Sequence, residues 1–153
     1  MSREPITDQE LAAIRNAIGR IHFANYVYVQ CTLGLRPAEF LALKMSDVTL
    51  EGDKTFLTVR GSREGVPDRV IEIPEETGIR DILEGRLRQY GTDMLFPVPT
   101  VRHGVYCGWQ QPSCRTYNER IFKPLMKELG IEGKTAICGA GRKKDNGSPE
   151  RLI

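Results

Sequence analysis

The sequence predicts a mixed α+β fold, mainly α-helical with a small antiparallel β-sheet. Three observations carry this. Apolar residues recur at helical spacing at Leu11, Ile14, Ile18 and Ile21, and again at Tyr117, Ile121, Phe122, Leu125, Met126 and Leu129. Between those stretches, residues 55–60 and 69–74 form two β-rich runs separated by a Gly- and Pro-containing segment. A chain of 153 residues, 40% hydrophobic and 27% charged, has the size and balance of one ordinary globular domain with room for a core.

Taken in order, Thr7-Asp8-Gln9-Glu10 has the form of a capping box, with Thr7 as N-cap and Glu10 at the third helical position. A helix is expected over 8–20. Residues 23–33 are nearly all apolar and read as a buried central helix. Their β-branched members also permit a strand, but Gly34 as a cap and the following Pro37 favour helix. Gly34 can take the left-handed conformation that ends a helix, and Pro37 suits the first turn of the next. Arg36 sits at this junction, with Glu39 three residues on, within reach on the same face. A guanidinium and free backbone N–H groups pointing one way suit an anion. A surface Arg–Glu pair at a helix–turn–helix corner is the simpler reading of the same residues.

The helix from Pro37 should run to Lys44, followed by a turn at Ser46-Asp47-Val48. Residues 49–53 then lead into the strand over 55–60, and residues 61–68 turn the chain into the return strand over 69–74, making a β-hairpin. A third long helix begins at Glu75, its acidic start suiting the dipole, and ends near Tyr90-Gly91. Residues 97–112 carry Pro99, Gly104, Gly108 and Pro112 and read as a loop, with Tyr106 and Trp109 folding back on the core. Ser113 caps a helix over 114–129, kinked by Pro124 and ended by Gly130. Its polar face carries Arg115, Asn118, Arg120 and Lys123, a wet face by amphipathicity alone. Residues 136–153 are rich in Gly and charge without apolar period, and are expected to be poorly ordered.

The net charge of +2 is too small to argue nucleic-acid binding by itself, so any basic surface must come from placement. No run is long enough to span a membrane, and the start lacks the apolar core of a signal peptide. A cytoplasmic setting with four reduced thiols is expected. Cys31, Cys107, Cys114 and Cys138 include no Cys-x-x-Cys pair, and only His22 and His103 could assist them, so neither a metal nor another cofactor is expected.

In this order of features the chain resembles the tyrosine recombinases, or phage integrases, over their catalytic domain. Three stretches carry the resemblance. The first is Gly34-Leu35-Arg36-Pro37-Ala38-Glu39 with Leu41, Leu43 and Ser46-Asp47-Val48. The second is Leu95-Phe96-Pro97, and the third runs from Asn118 through Phe122, Pro124-Leu125 and Leu129-Gly130-Ile131. The match extends from about Ile6 to Thr135. It implies the DNA breaking-rejoining enzyme fold, a partial catalytic domain over 1–135 and a divergent tail over 136–153. It implies a bacterial or phage-encoded protein of DNA integration and recombination whose partner is duplex DNA.

By the same resemblance Arg36 is the first active-site arginine and Glu39 supports it. The family carries a lysine on the β-hairpin that protonates the leaving 5′-oxygen; Arg63 stands nearest to that place. An arginine there can pair with a phosphate but does not readily give up a proton. Arg36, Arg60, Arg63, Arg69, Arg115, Asn118, Arg120 and Lys123 are the implied DNA contacts. Arg60, Arg63 and Arg69 also read as a solvated basic hairpin tip.

The pattern breaks after Thr135. The family continues with His-x-x-Arg, a further His or Trp, and a nucleophilic Tyr, whereas here no His follows His103 and no Tyr follows Tyr117. Arg142 has neither the neighbours nor the offset of the second active-site arginine. Cleavage needs a tyrosine oxygen to attack a phosphodiester, guanidinium groups to hold the growing charge, and an acid for the leaving oxygen. The expected reading is a catalytically incompetent chain. It is either a non-catalytic modulator that binds DNA or a full-length integrase, or an inert, frameshifted prophage remnant. Loss of the later helices would also expose apolar surface and favour self-association.

Overall fold

The structure, a computed structural model, describes residues 6–61, 65–89 and 92–132. The expected tail, 136–153, lies outside the described residues. The chain divides into two compact units. One comprises Met1–Pro37 and Arg115–Ile153, the other Ala38–Cys114.

In the first unit, α1 (Asp8–Ala17) starts where the capping box places it. The Glu10 N–H donates to Thr7 Oγ1 at 3.1 Å, and the Thr7 N–H donates back to Glu10 Oε1 at 2.9 Å. The helix ends three residues short of its expected end, because Ile18 is extended and Gly19 takes a φ of +89°. Helix α2 (Ala24–Leu33) begins one residue later than expected: Phe23 adopts a left-handed φ of +65°, uncommon for a bulky side chain. Its ring lies against His22 and Tyr26, at 4.9 and 5.0 Å between centroids. At the other end Gly34 takes the expected left-handed cap, with φ +67°. Helix α1 packs on α2, where the Arg15 guanidinium lies 5.7 Å from the Tyr28 ring centre.

The last helical stretch is α5 (Cys114–Tyr117), a π turn (Asn118–Phe122) and α6 (Lys123–Leu129). The expected kink at Pro124 takes this form because proline has no N–H to give and its ring crowds the carbonyl four residues back. A π turn widens the ladder just ahead of it, and the Lys123 N–H reaches the Asn118 carbonyl instead. Tyr117, Ile121, Phe122, Leu125 and Met126 are buried, as their spacing predicts, and Gly130 closes the helix with φ +72°.

In the second unit, α3 (Pro37–Leu41, whose first residue closes the first unit) is shorter than expected and gives way to a 3-10 turn, Met45–Asp47. The sheet has three antiparallel strands in the order β1 (Val48–Glu51), β2 (Lys54–Val59) and β3 (Arg69–Glu72), not a lone hairpin. Strand β1 was expected only as a lead-in. Three of its four residues are exposed, so it shows no apolar alternation, and backbone pairing with β2 defines it. Central β2 alternates as predicted, with Thr55, Leu57 and Val59 buried. After a 3-10 turn at Glu75–Thr77, Gly78 bends the chain with φ +74°, so α4 (Ile79–Leu87) starts later than expected. The Leu95-Phe96 segment then returns to the end of α3. Leu95 N–H donates to the Leu43 carbonyl at 3.0 Å, and the Phe96 ring stacks on Phe40 at 4.4 Å.

Residues 97–112 are not a loop. They form a two-stranded ribbon, β4 (Val98–Arg102) and β5 (Val105–Gln110). His103 and Gly104 make its two-residue turn with φ of +54° and +79°, the handedness that matches strand twist. The breakers that suggested a loop sit where a ribbon tolerates them. Pro99 is on a strand that is an edge by construction, and Gly108, with φ +117°, flanks a register shift between Thr100 and Val101. Tyr106 does not fold back on the core: it is 56% exposed and meets Trp109 edge-on at 6.2 Å.

Candidate functional site

In the first unit, the candidate anion contact Arg36 follows a tightly determined corner. Leu35 N–H donates to the Gln30 carbonyl at 3.1 Å and Gly34 N–H to the Cys31 carbonyl at 3.3 Å, a Schellman pair that satisfies these two carbonyls at the end of α2. Gln30 is fully buried. Its side-chain Nε2 donates to the Leu35 carbonyl at 2.6 Å, and its Oε1 accepts from the Tyr117 hydroxyl at 3.1 Å. Leu35 is fully buried and Arg36 half-buried. Sequence reading passed over Gln30, although a lone amide among apolar neighbours, just ahead of a helix end, is a detectable signal.

Tyr117 is a core residue. Burial, with Cys31 adding to it, pushes its phenol well above the ordinary tyrosine range, and its hydroxyl is spent on Gln30. Burial likewise pushes the Cys31 thiol up to about 12. Neither group is an available nucleophile at neutral pH. Of the expected polar face, Arg115, Arg120 and Lys123 are exposed, with Arg115 Nε 3.8 Å from Glu119. Asn118 departs from it: its side-chain oxygen is buried and has no hydrogen-bond partner among the described residues.

In the second unit, the expected basic hairpin tip is largely committed inward. Arg69 donates to buried Glu39 through both terminal nitrogens, at 3.1 and 3.4 Å. Arg60 donates to Asp47 Oδ1 at 2.8 Å and to the Ala42 carbonyl, while the Lys44 N–H donates to Asp47 Oδ2 at 2.8 Å. Glu39 thus accepts a forked bond from β3. Arg60 and Arg69 are half-buried ion-pair members, not solvated tip residues. Between β2 and β3, the Gly61 N–H donates to Asp68 Oδ1 at 3.0 Å. Arg63 lies outside the described residues.

Among the described residues, no group of three or more His, Cys, Asp and Glu is placed to hold a metal ion. Cys31, Cys107 and Cys114 are free thiols. No described helix is long and apolar enough to cross a membrane.

No family model and no curated protein matches the sequence. Solved structures do match. XerA recombinase aligns with a TM-score of 0.67 at 24% identity, over 99% of this chain and 54% of its own. XerH site-specific recombinase bound to palindromic difH substrate, in a post-cleavage complex, aligns with a TM-score of 0.66 at 16% identity, over 98% of this chain and 45% of its own. Its pre-cleavage complex on difH substrate gives 0.59 at 15%, over 99% and 47%. The chain has the tyrosine-recombinase fold. It spans about half the length of these recombinases. Within that fold, Arg36 stands at a hydrogen-bonded corner of the first unit. Arg115, Arg120 and Lys123 stand on the exposed face of the π-interrupted helix, and Arg60, Arg69 and Glu39 are tied into the second unit.

Proposed function

We propose that this chain is a DNA-binding recombinase-fold domain that engages duplex DNA without cutting it. Arg36 and Arg63 contact phosphates, and Arg115, Arg120 and Lys123 supply a second cationic strip. What supports the reading is the position of Arg36, an arginine set at a hydrogen-bonded helix corner within a fold whose solved examples include recombinases bound to their DNA substrates. Arg60 and Arg69 then have a supporting part, securing β2 and β3 to Asp47 and Glu39.

These 153 residues do not supply strand transfer by themselves. The sequence has no Tyr after Tyr117, and Tyr117 is buried with its hydroxyl engaged. Non-catalytic binding makes the chain a modulator that occupies recombination sites or associates with an intact recombinase. An inert prophage remnant is the competing reading, and duplex binding separates the two.

The test is fluorescence anisotropy on a labelled duplex, titrated with salt. Each phosphate contact contributes roughly one unit to the slope of log K against log salt. Arg36→Ala and Arg63→Ala are each expected to reduce the slope by about one and the affinity about tenfold. No binding at low salt would leave a recombinase fold without the function and give the remnant reading the lead.

A further inference from the structure

We propose that Gln30 is the positioning residue for Arg36, acting with Tyr117 as a neutral clamp on the peptide that precedes it. The inference rests on the reading of Arg36 as a phosphate contact. One residue holds both polar groups of Leu35. The Gln30 backbone carbonyl accepts the Leu35 N–H at 3.1 Å, and its side-chain amide donates to the Leu35 carbonyl at 2.6 Å. A Schellman corner supplies the first bond in any sequence with glycine there; the second is particular to this glutamine. The Leu35 carbonyl belongs to the peptide bond whose nitrogen is that of Arg36. Fixing it fixes the plane from which the Arg36 side chain departs.

Gln30 is itself fixed. The Leu35 carbonyl can only accept, so it sets the amide orientation that points Nε2 at it, and Oε1 is left to accept from Tyr117 at 3.1 Å. Gln30, Leu35 and Tyr117 are all fully buried, so water does not compete for these bonds. The clamp carries no charge, and so adds no counter-charge beside a guanidinium that must face a phosphate. A guanidinium tethered loosely loses part of its binding to the ordering of its side chain.

The test compares Gln30→Leu, Tyr117→Phe and Arg36→Ala, singly and with Arg36→Ala combined with each of the others. Duplex binding by anisotropy is read beside the Arg36 backbone N–H and Nε–H resonances of the 15N-labelled free protein. Gln30→Leu is expected to weaken binding about tenfold, as Arg36→Ala does, and to add nothing once Arg36 is gone. Tyr117→Phe, which keeps the ring, should weaken binding several-fold and broaden the Arg36 resonances. A merely structural role predicts the same loss in both backgrounds and unmoved Arg36 resonances, and that result overturns the inference. If Gln30→Leu does not fold, Tyr117→Phe carries both readouts. If Arg36→Ala binds like the parent, the phosphate reading falls; the resonances still decide whether Gln30 positions Arg36.

Discussion

The two units secure their polar side chains by opposite means. In the first, a neutral amide is buried outright and satisfied on each side, by Leu35 and Tyr117. In the second, the buried groups are carboxylates, Glu39 and Asp47, each held by an arginine whose side chain is 38% and 37% exposed, respectively. A neutral hydrogen bond needs little desolvation but close geometry. A buried carboxylate needs a counter-charge, and an arginine at the surface supplies one while keeping part of its own hydration. The first arrangement suits the orientation of one peptide; the second suits fastening strands to the segment ahead of them.

The largest effect that would break this contrast is at Arg69. Arg69→Ala removes a forked bond to a buried carboxylate and is expected to destabilise the protein by about 2 kcal/mol in urea unfolding. That is below the roughly 3–5 kcal/mol of pairs buried on both sides, because Arg69 is partly hydrated. Arg60→Ala should cost less, about 1 kcal/mol, since Asp47 loses a single bond rather than a forked pair. Equal losses at the two sites would mean that the second bond of the Arg69 fork contributes little.

Tyr117→Phe, with one buried hydrogen bond lost, should cost about 1 kcal/mol and show no dependence on salt. The loss from Arg69→Ala should shrink at high salt as the parent pair is screened. A salt-dependent Tyr117→Phe would refute the neutral-clamp description.

A pH dependence sharpens the comparison from the alkaline side. The Cys31 thiol is raised from 9.0 to about 12 by burial, so the folded state keeps a proton that the unfolded state gives up first. Stability should be flat with respect to this group below pH 9 and fall as pH rises from 9 toward 12, because the native state then binds more protons than the unfolded one. Urea unfolding from pH 8 to 11 should show this fall, with a shallower slope in Cys31→Ala. A parent curve with no fall above pH 9 would mean that the thiol ionises freely in the folded protein.

Legibility from sequence followed how local the cause was. The capping box at Thr7 and Glu10, the Gly34 and Gly130 caps, and the alternation of β2 are each set by residues within a few positions of one another, and each stands as read. Strand β1 has no pattern of its own; only the neighbouring strand makes it one. The ribbon of β4 and β5 was hidden because Pro99, Gly104 and Gly108 carry loop signals, which a two-stranded ribbon accommodates at its edges, turn and bulge. Val101, Val105 and Tyr106 stay exposed there, so core periodicity offered no guide.

The candidate site divides the same way. By itself the sequence determined that Arg36 would follow a glycine-capped helix and precede a proline-started one. Helix ends are governed by short-range sterics and by orphan N–H and C=O groups that nearby residues must satisfy. Tertiary structure alone decided which partners the other charged and polar groups took: Arg69 with Glu39 across 30 residues, Arg60 with Asp47 across 13, and Tyr117 with Gln30 across 87. Such pairings depend on which backbone segments the folded core brings together, and on the cost of burying a polar group without a partner. No spacing rule along the chain encodes either condition.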